Sequence, residues 1–75
     1  MTTEYFTNDE GELAYMNETT NGHGQPQLLV HVPGALAGYR PTRAMREYCR
    51  ARLIEGGWTP IEPTQVRSIR EKENA

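Results

Sequence analysis

The sequence contains one cysteine, Cys49, so no disulfide can form within the chain. A small secreted fold held together by disulfides is therefore excluded. Apolar segments are short, and none approaches the roughly 20 residues that a membrane-spanning helix needs. The first twelve residues are acidic and lack the apolar core of a secretory signal. These absences predict a cytoplasmic protein with no membrane contact.

Basic residues are absent from the first half of the chain. Residues 1–39 contain five acidic residues and no lysine or arginine, whereas residues 40–75 contain eight basic and five acidic residues. One interpretation is that two oppositely charged surfaces attract each other across the fold. The other is that the protein presents separate acidic and basic contact surfaces. Because 75 residues support one modest core, we expect a single domain over residues 1–75.

Residues that support catalysis or metal binding are few and badly spaced. His23, His31 and Cys49 do not have the spacing of zinc ligands. The glycines around His23 are not followed by the Lys-Ser/Thr pair of a phosphate-binding loop. Cys49 falls on the apolar face of a predicted helix, where we expect a buried and unreactive thiol. We therefore expect no catalytic residue, no metal and no cofactor.

Two strands and a loop are predicted in the first third of the chain. Asn, Asp and Gly at positions 8–11 favour a tight turn, which predicts a hairpin between Tyr5-Phe6 and the apolar segment 13–16. Residues 17–26 lack large apolar side chains and predict a mobile loop.

A third strand is predicted over residues 27–32 from its apolar and β-branched content. Leu28, Val30 and Val32 then share one face, and Gln27, Leu29 and His31 share the other. Pro33-Gly34 ends this strand, and residues 35–40 are expected to form a connector.

A helix is predicted over residues 42–55, capped by Thr42 and ended by Gly56-Gly57. Its predicted apolar face carries Ala44, Met45, Tyr48, Cys49 and Leu53. Its predicted polar face carries Arg43, Arg46, Glu47 and Arg50. These arginines could form a nucleic-acid surface, but the net charge of −2 and the lack of interleaved aromatic residues favour a solvated face. We therefore do not expect nucleic-acid binding.

The last part of the chain is predicted to be extended and then helical. Two prolines keep residues 58–63 extended. Thr64 is predicted to cap a short helix with Val66 and Ile69 on its apolar side, and residues 70–75 are expected to fray. The predicted fold is α+β, with a small three-stranded antiparallel sheet, one helix packed on a face and a short C-terminal helix.

Several of these segments resemble the MbtH-like family, the small partner proteins of nonribosomal peptide synthetases. The segment Trp-Thr-Pro-Ile-Glu-Pro at 58–63 resembles the family's W-T-D-x-R-P, and it follows a predicted helix as it does in the family. Residues 6–11 are similar to the family's N-P-F-D-D-E-x-G opening, and Asn17-Glu18 is similar to the Asn-x-Glu after it. Glu47-Tyr48-Cys49 lies where members often have a Cys-Leu pair.

The stretch from Gln27 to Tyr39 aligns without a gap on the family's S-x-W-P…P-x-G-W segment. Gly38 matches the family's glycine, and Tyr39 takes the place of its last tryptophan. The chain departs from the pattern where Gln27 replaces Ser, Leu29 replaces Trp, and Val30 and Leu36 each replace Pro.

The resemblance implies a non-catalytic protein that activates an amino-acid adenylation domain by binding to it. From the predicted fold, we expect the free protein to be a monomer. In the family, two tryptophans grip a small side chain of the adenylation domain, and Leu29 and Tyr39 stand in their places here. The resemblance and the exposed strand face together predict this set of partner-binding residues: Gln27, Leu29, His31, Tyr39 and Trp58. Trp58 has a second interpretation, as an anchor between sheet and helix. A second function also fits the small size and absent catalytic residues: a phage or plasmid accessory protein that inhibits a host enzyme such as RNA polymerase or a nuclease.

Overall fold

The computed structural model describes residues 3–67, which form an antiparallel sheet covered on one side by a helix. The elements are, in chain order, β1 (Thr3–Thr7), β2 (Leu13–Thr20), β3 (Pro26–Val32), β4 (Ala35–Tyr39), α1 (Arg43–Glu55) and β5 (Thr59–Ile61). A second helix, α2, occupies residues 63–67. The sheet order is β4-β3-β2-β1-β5. The α+β class is confirmed, but the prediction of three strands is wrong because β4 and β5 extend the sheet at both edges.

Two turns of the same kind join the first three strands. Asn8 Oδ1 accepts hydrogen bonds from the backbone N–H groups of Glu10 and Glu12, at 3.1 and 3.0 Å. Asn21 repeats this pattern with the residues two and four positions further on, at 2.9 and 3.0 Å. The fourth residue of each turn is a glycine, and Gly24 has a φ of 76° that other residues rarely adopt.

The second turn corrects the prediction of a mobile loop over residues 17–26. β2 continues to Thr20 and β3 begins at Pro26, so only residues 21–25 lie between them. Asn17 to Thr20 are polar, but they pair in register with β3, from Asn17 opposite Leu29 to Thr20 opposite Pro26. A polar segment can form a strand here because the hydrogen bonds that pair it with β3 join backbone groups and do not depend on the side chains.

The connector predicted over residues 35–40 is also corrected, because Ala35–Tyr39 is strand β4. Val32 pairs with Ala35, so Pro33 and Gly34 form a two-residue turn, with Gly34 at a φ of 84°. Proline followed by a glycine of positive φ is the pattern of a type II turn. This turn sends the chain back along β3.

The core lies between the sheet and α1. Its buried members are Phe6, Ala14, Met16, Leu28, Cys49 and Leu53. Val30, Val32, Met45 and Trp58 are partly buried against them. The predicted face of Leu28, Val30 and Val32 is therefore confirmed as the side that meets the helix.

Helix α1 begins and ends as predicted, but its buried stripe is narrower. Thr42 Oγ1 accepts a hydrogen bond from Met45 N–H at 3.1 Å, and the helix ends at Gly56. Cys49 and Leu53 are buried and Met45 is half-buried. Ala44 and Tyr48, which were predicted on the apolar face, are exposed. The reason is that the arginine side of α1 also faces the sheet, where it meets two glutamates.

The chain after α1 returns to the sheet and then begins α2. β5 pairs antiparallel with β1. Glu62 N–H donates to Gln65 Oε1 at 2.8 Å, so Glu62 caps α2 and Pro63 is its first helical residue. The predicted cap at Thr64 is therefore wrong. Val66 is buried as predicted, whereas Ile69 and the predicted frayed tail at 70–75 lie outside the described residues. No helix within residues 3–67 is long and apolar enough to cross a membrane.

Candidate protein-binding surfaces

The side of the sheet opposite α1, called the open face below, carries three of the five predicted binding residues. Gln27, Leu29 and His31 alternate with the core residues of β3, so all three point to this side. In the register of the sheet, Leu29 lies opposite Gly38 of β4. These three residues form one surface, as the sequence predicts.

Aromatic residues form a row across the middle of the open face. Tyr5 lies opposite Tyr15, and Tyr15 lies opposite His31. The rings of Tyr15 and His31 are stacked, with centroids 5.0 Å apart and planes 16° apart. Tyr5 and Tyr15 are tilted, with centroids 6.4 Å apart. Ile61 and Leu36 continue the row to the two edge strands. Sequence reasoning missed Tyr5 and Tyr15 as surface residues. Alternation along β1 and β2 could have identified them, because both are next in sequence to core residues and therefore lie on the other face of the sheet.

The open face is free of charge within the described strands. Glu4 and Glu18 are the only charged residues in β1 to β5. Glu4 pairs with the core residue Met16, and Glu18 pairs with the core residue Leu28, so both glutamates lie on the helix side. Within the described strands, Asp, Glu, Lys and Arg are thus kept off the open face.

Both glutamates bind arginines of α1. Arg46 Nη2 lies 2.7 Å from Glu18 Oε1, and Arg46 Nη1 lies 3.9 Å from Glu4 Oε1. Arg50 Nε lies 3.3 Å from Glu4 Oε2. The acidic half of the sequence therefore meets the basic half across the sheet-helix interface, which is the first of the two interpretations of the charge pattern.

Tyr39 lies on the other side of the sheet from Leu29. It pairs with the core residue Leu28, and it lines a groove of about 350 Å³ between β4 and α1 together with Val30, Tyr48 and Trp58. Leu29 and Tyr39 therefore do not form one clamp, and the implied grip on a single side chain is corrected. Trp58 is half-buried against the core, as its interpretation as an anchor requires, and its indole also borders this groove.

The structure describes little that could perform catalysis. Cys49 is buried, and burial raises the pKa of its thiol, which keeps it protonated and unreactive. Residues 3–67 contain no group of three or more His, Cys, Asp or Glu side chains that could hold a metal ion. His23 is exposed in the turn at 21–25, where its backbone N–H bonds Asn21.

Two polar atoms on the open face lie buried without a hydrogen-bond partner in the described part of the chain. They are Nδ1 of His31 and Oδ1 of Asn17. His31 Nδ1 belongs to the ring that stacks on Tyr15, and Asn17 lies opposite Leu29.

Comparison of the chain with family models, curated proteins and solved structures finds no match. Membership of the MbtH-like family therefore stays a prediction that rests on the segments quoted above. The geometry of the open face and of the groove beside β4 is the basis for the functional argument that follows.

Proposed function

We propose that this protein is a non-catalytic activator that docks on an amino-acid adenylation domain through the open face of its sheet. The observation that supports docking is the charge-free surface with Tyr5, Tyr15 and His31 at its centre. The centres of protein interfaces are depleted of charged residues and enriched in aromatic ones. A surface without charge can be covered without leaving an unpaired ion in a dry contact.

A protein partner suits this surface better than a nucleic acid does. Aromatic side chains on a sheet can stack on bases, but such sites also need cations that neutralise phosphates. The described strands place no lysine or arginine on the open face, and Arg46 and Arg50 of α1 are bound to glutamates on the other side. The aromatic row on the open face therefore favours a protein partner whose own contact surface is uncharged.

The resemblance to the MbtH-like family indicates the class of the partner, and the fold indicates how the protein would act on that partner. The described residues form one small core and a sheet of five strands, which could act as a template that binds one conformation of the partner more tightly than others. A ligand shifts a conformational equilibrium only through this difference in affinity. Leu29 and His31 have register partners in both β2 and β4, whereas Gln27 lies near the start of β3 and has a partner only in β2. We therefore assign the first two residues the largest share of the binding energy.

The test is co-expression of the chain with each adenylation domain encoded in the same genome, followed by amino-acid-dependent pyrophosphate exchange. We expect one domain to gain solubility and activity when the chain is present. Leu29→Lys places a charge on the open face and is expected to weaken binding more than tenfold. Arg43→Ala is the matched control, because Arg43 lies on α1 and not on the open face, and its side chain is 92% exposed.

Thermal melting of each variant separates loss of binding from loss of fold. Tyr39→Ala tests the groove beside β4 independently of the open face. If the Leu29 and Arg43 variants bind equally well, the open face is not the contact surface. If no adenylation domain responds, the partner class is rejected, and inhibition of a host enzyme becomes the function to test.

A further inference from the structure

Strand β4 is an exposed edge without the usual protection of edge strands. All five of its residues, Ala-Leu-Ala-Gly-Tyr, are exposed and uncharged, and no described strand pairs with its outer side. Natural sheets block such edges with lysines, prolines, bulges or very short strands, because an open edge can pair with another chain. The opposite edge follows this rule, because β5 has three residues and the central one is Pro60.

The outer side of β4 presents the backbone N–H and C=O groups of two residues, which the register identifies. The pair that flanks a two-residue turn exchanges hydrogen bonds, and bonded pairs then alternate along the strands. Val32 and Ala35 flank the turn, so Ala35, Ala37 and Tyr39 bond to β3. Leu36 and Gly38 must therefore direct their N–H and C=O groups outward, away from the sheet.

We propose that β4 pairs antiparallel with β4 of a second copy of this chain, about a two-fold axis at Ala37. In this register all five residues overlap, and Leu36 of each copy exchanges two backbone hydrogen bonds with Gly38 of the other. The two exchanges are equivalent by symmetry, as an isologous contact requires. The result is one continuous antiparallel sheet of ten strands.

The side chains of β4 fit this register because each large residue meets a small one. Leu36, which is 62% exposed, faces Gly38 of the other copy on the open face. Gly38 has no side chain, and Gln27 Oε1 and Leu29 Cδ2 lie 3.3 and 3.9 Å from the position that a Cβ would take there, so Leu36 packs on these two side chains in the dimer. Tyr39 faces Ala35 on the helix side, and Ala37 faces itself.

The charged residue that adjoins β4 in the sequence does not oppose this contact. It is Arg40, which lies three positions from the axis in each copy. The two arginines are therefore separated by about 20 Å along the strands, beyond the Debye length at physiological salt. The proposed dimer replaces the monomer expected from the sequence, since β4 was not among the three strands of that prediction.

A disulfide across the axis tests the register directly. Residues in a non-hydrogen-bonded antiparallel pair have Cα atoms about 4.5 Å apart, within the range that a disulfide spans. In a Cys49→Ala background, we expect Ala37→Cys to form a disulfide-linked dimer under mild oxidation. Ala35→Cys is the matched control, because the two copies of residue 35 are about 13 Å apart along the strands. Equal cross-linking of the two variants, or none for Ala37→Cys, overturns the proposed register.

Sedimentation velocity over a concentration series tests the association itself. We expect the wild-type chain to sediment as a dimer, and Leu36→Lys to sediment as a monomer because its charge would face Gly38 in a closed contact. Thr59→Lys adds the same charge to the exposed end of β5 and is expected to remain dimeric. Circular dichroism checks that both variants are folded. A wild-type monomer at every concentration overturns the proposal, and this result is independent of any adenylation domain.

Discussion

Arg46 Nη2 lies 2.7 Å from Glu18 Oε1, which joins the first turn of α1 to the end of β2. The two side chains are 22% and 38% exposed, so the pair is only partly screened by solvent. The Arg46 guanidinium also reaches Glu4 of β1, at 3.9 Å. One arginine therefore connects the helix with two strands, and it accounts for part of the charge asymmetry of the sequence.

Replacing Arg46 with methionine is expected to lower the free energy of unfolding by about 1 kcal/mol, which is the upper range for a partly exposed ion pair. Methionine keeps the apolar stem but leaves Glu4 and Glu18 without this partner. Urea unfolding at low and high salt measures the effect, which is expected to shrink as salt rises. Arg43→Met is the control, because the ion pair that the described residues give Arg43 is with Glu47 of the same helix and its side chain is 92% exposed. Equal effects of the two variants would show that the contact with the sheet adds no stability.

Removing the side-chain cap of α1 is expected to cost about 1 kcal/mol. Thr42 Oγ1 accepts the Met45 N–H at 3.1 Å, and Thr42→Ala leaves that group without its acceptor. Thr42→Ser keeps the hydroxyl and is expected to retain most of the stability. Thr64→Ala is the control, since the cap of α2 is formed by Glu62 and Gln65 instead. A shift in the urea midpoint for Thr64→Ala as large as that for Thr42→Ala would contradict this assignment.

The predicted fold is wrong where the strands are polar or short, because those segments were assigned from their side-chain composition alone. The pattern Asn-x-x-Gly at 21–24 repeats the pattern at 8–11, which was correctly predicted as a hairpin turn. The sequence Pro33-Gly34 is likewise typical of a type II turn, which would return the chain along β3, so β4 could have been predicted. β5 could not, because three residues around Pro60 form a strand only through their pairing with β1.

The surface was predictable in part. Alternation along β3 was enough to place Gln27, Leu29 and His31 together, because side chains on a strand alternate strictly. The position of Tyr39 depends on the register of β4, since Leu28 rather than Leu29 lies opposite it. A prediction that treats residues 35–40 as a connector does not pair them with β3. It therefore cannot determine on which face of the sheet Tyr39 lies.

The two glycines of the turn at 21–25 are expected to respond differently to alanine. Gly24 has a φ of 76°, where a Cβ is strained, so Gly24→Ala is expected to destabilise the protein by roughly 1 kcal/mol. Gly22 has an ordinary φ and open space around it, so Gly22→Ala is expected to be neutral or slightly stabilising. Thermal melting of the two variants decides the point. Equal melting temperatures would mean that this turn is not held in the conformation described.

The buried thiol of Cys49 is expected to make the protein less stable in alkali. Burial raises the pKa of this thiol above its ordinary value of 9.0. Below that pH both the folded and the unfolded chain keep the proton. Above it the unfolded chain loses the proton first, and the slope of unfolding free energy with pH becomes negative, by at most about 1.4 kcal/mol per pH unit. Stability is therefore lost as pH rises from 9.0 towards the raised pKa.

The Cys49→Ala variant isolates this effect. Other groups that titrate in alkali do so in both proteins, so they cancel in the difference between the two unfolding free energies. We expect that difference to be constant below pH 9 and to move in favour of the alanine variant at higher pH. Urea unfolding at a series of pH values measures it, and the rate of thiol modification in the native state gives a second readout. A difference that does not change with pH, together with fast modification, would show that Cys49 is open to solvent and that α1 does not pack on the sheet as described.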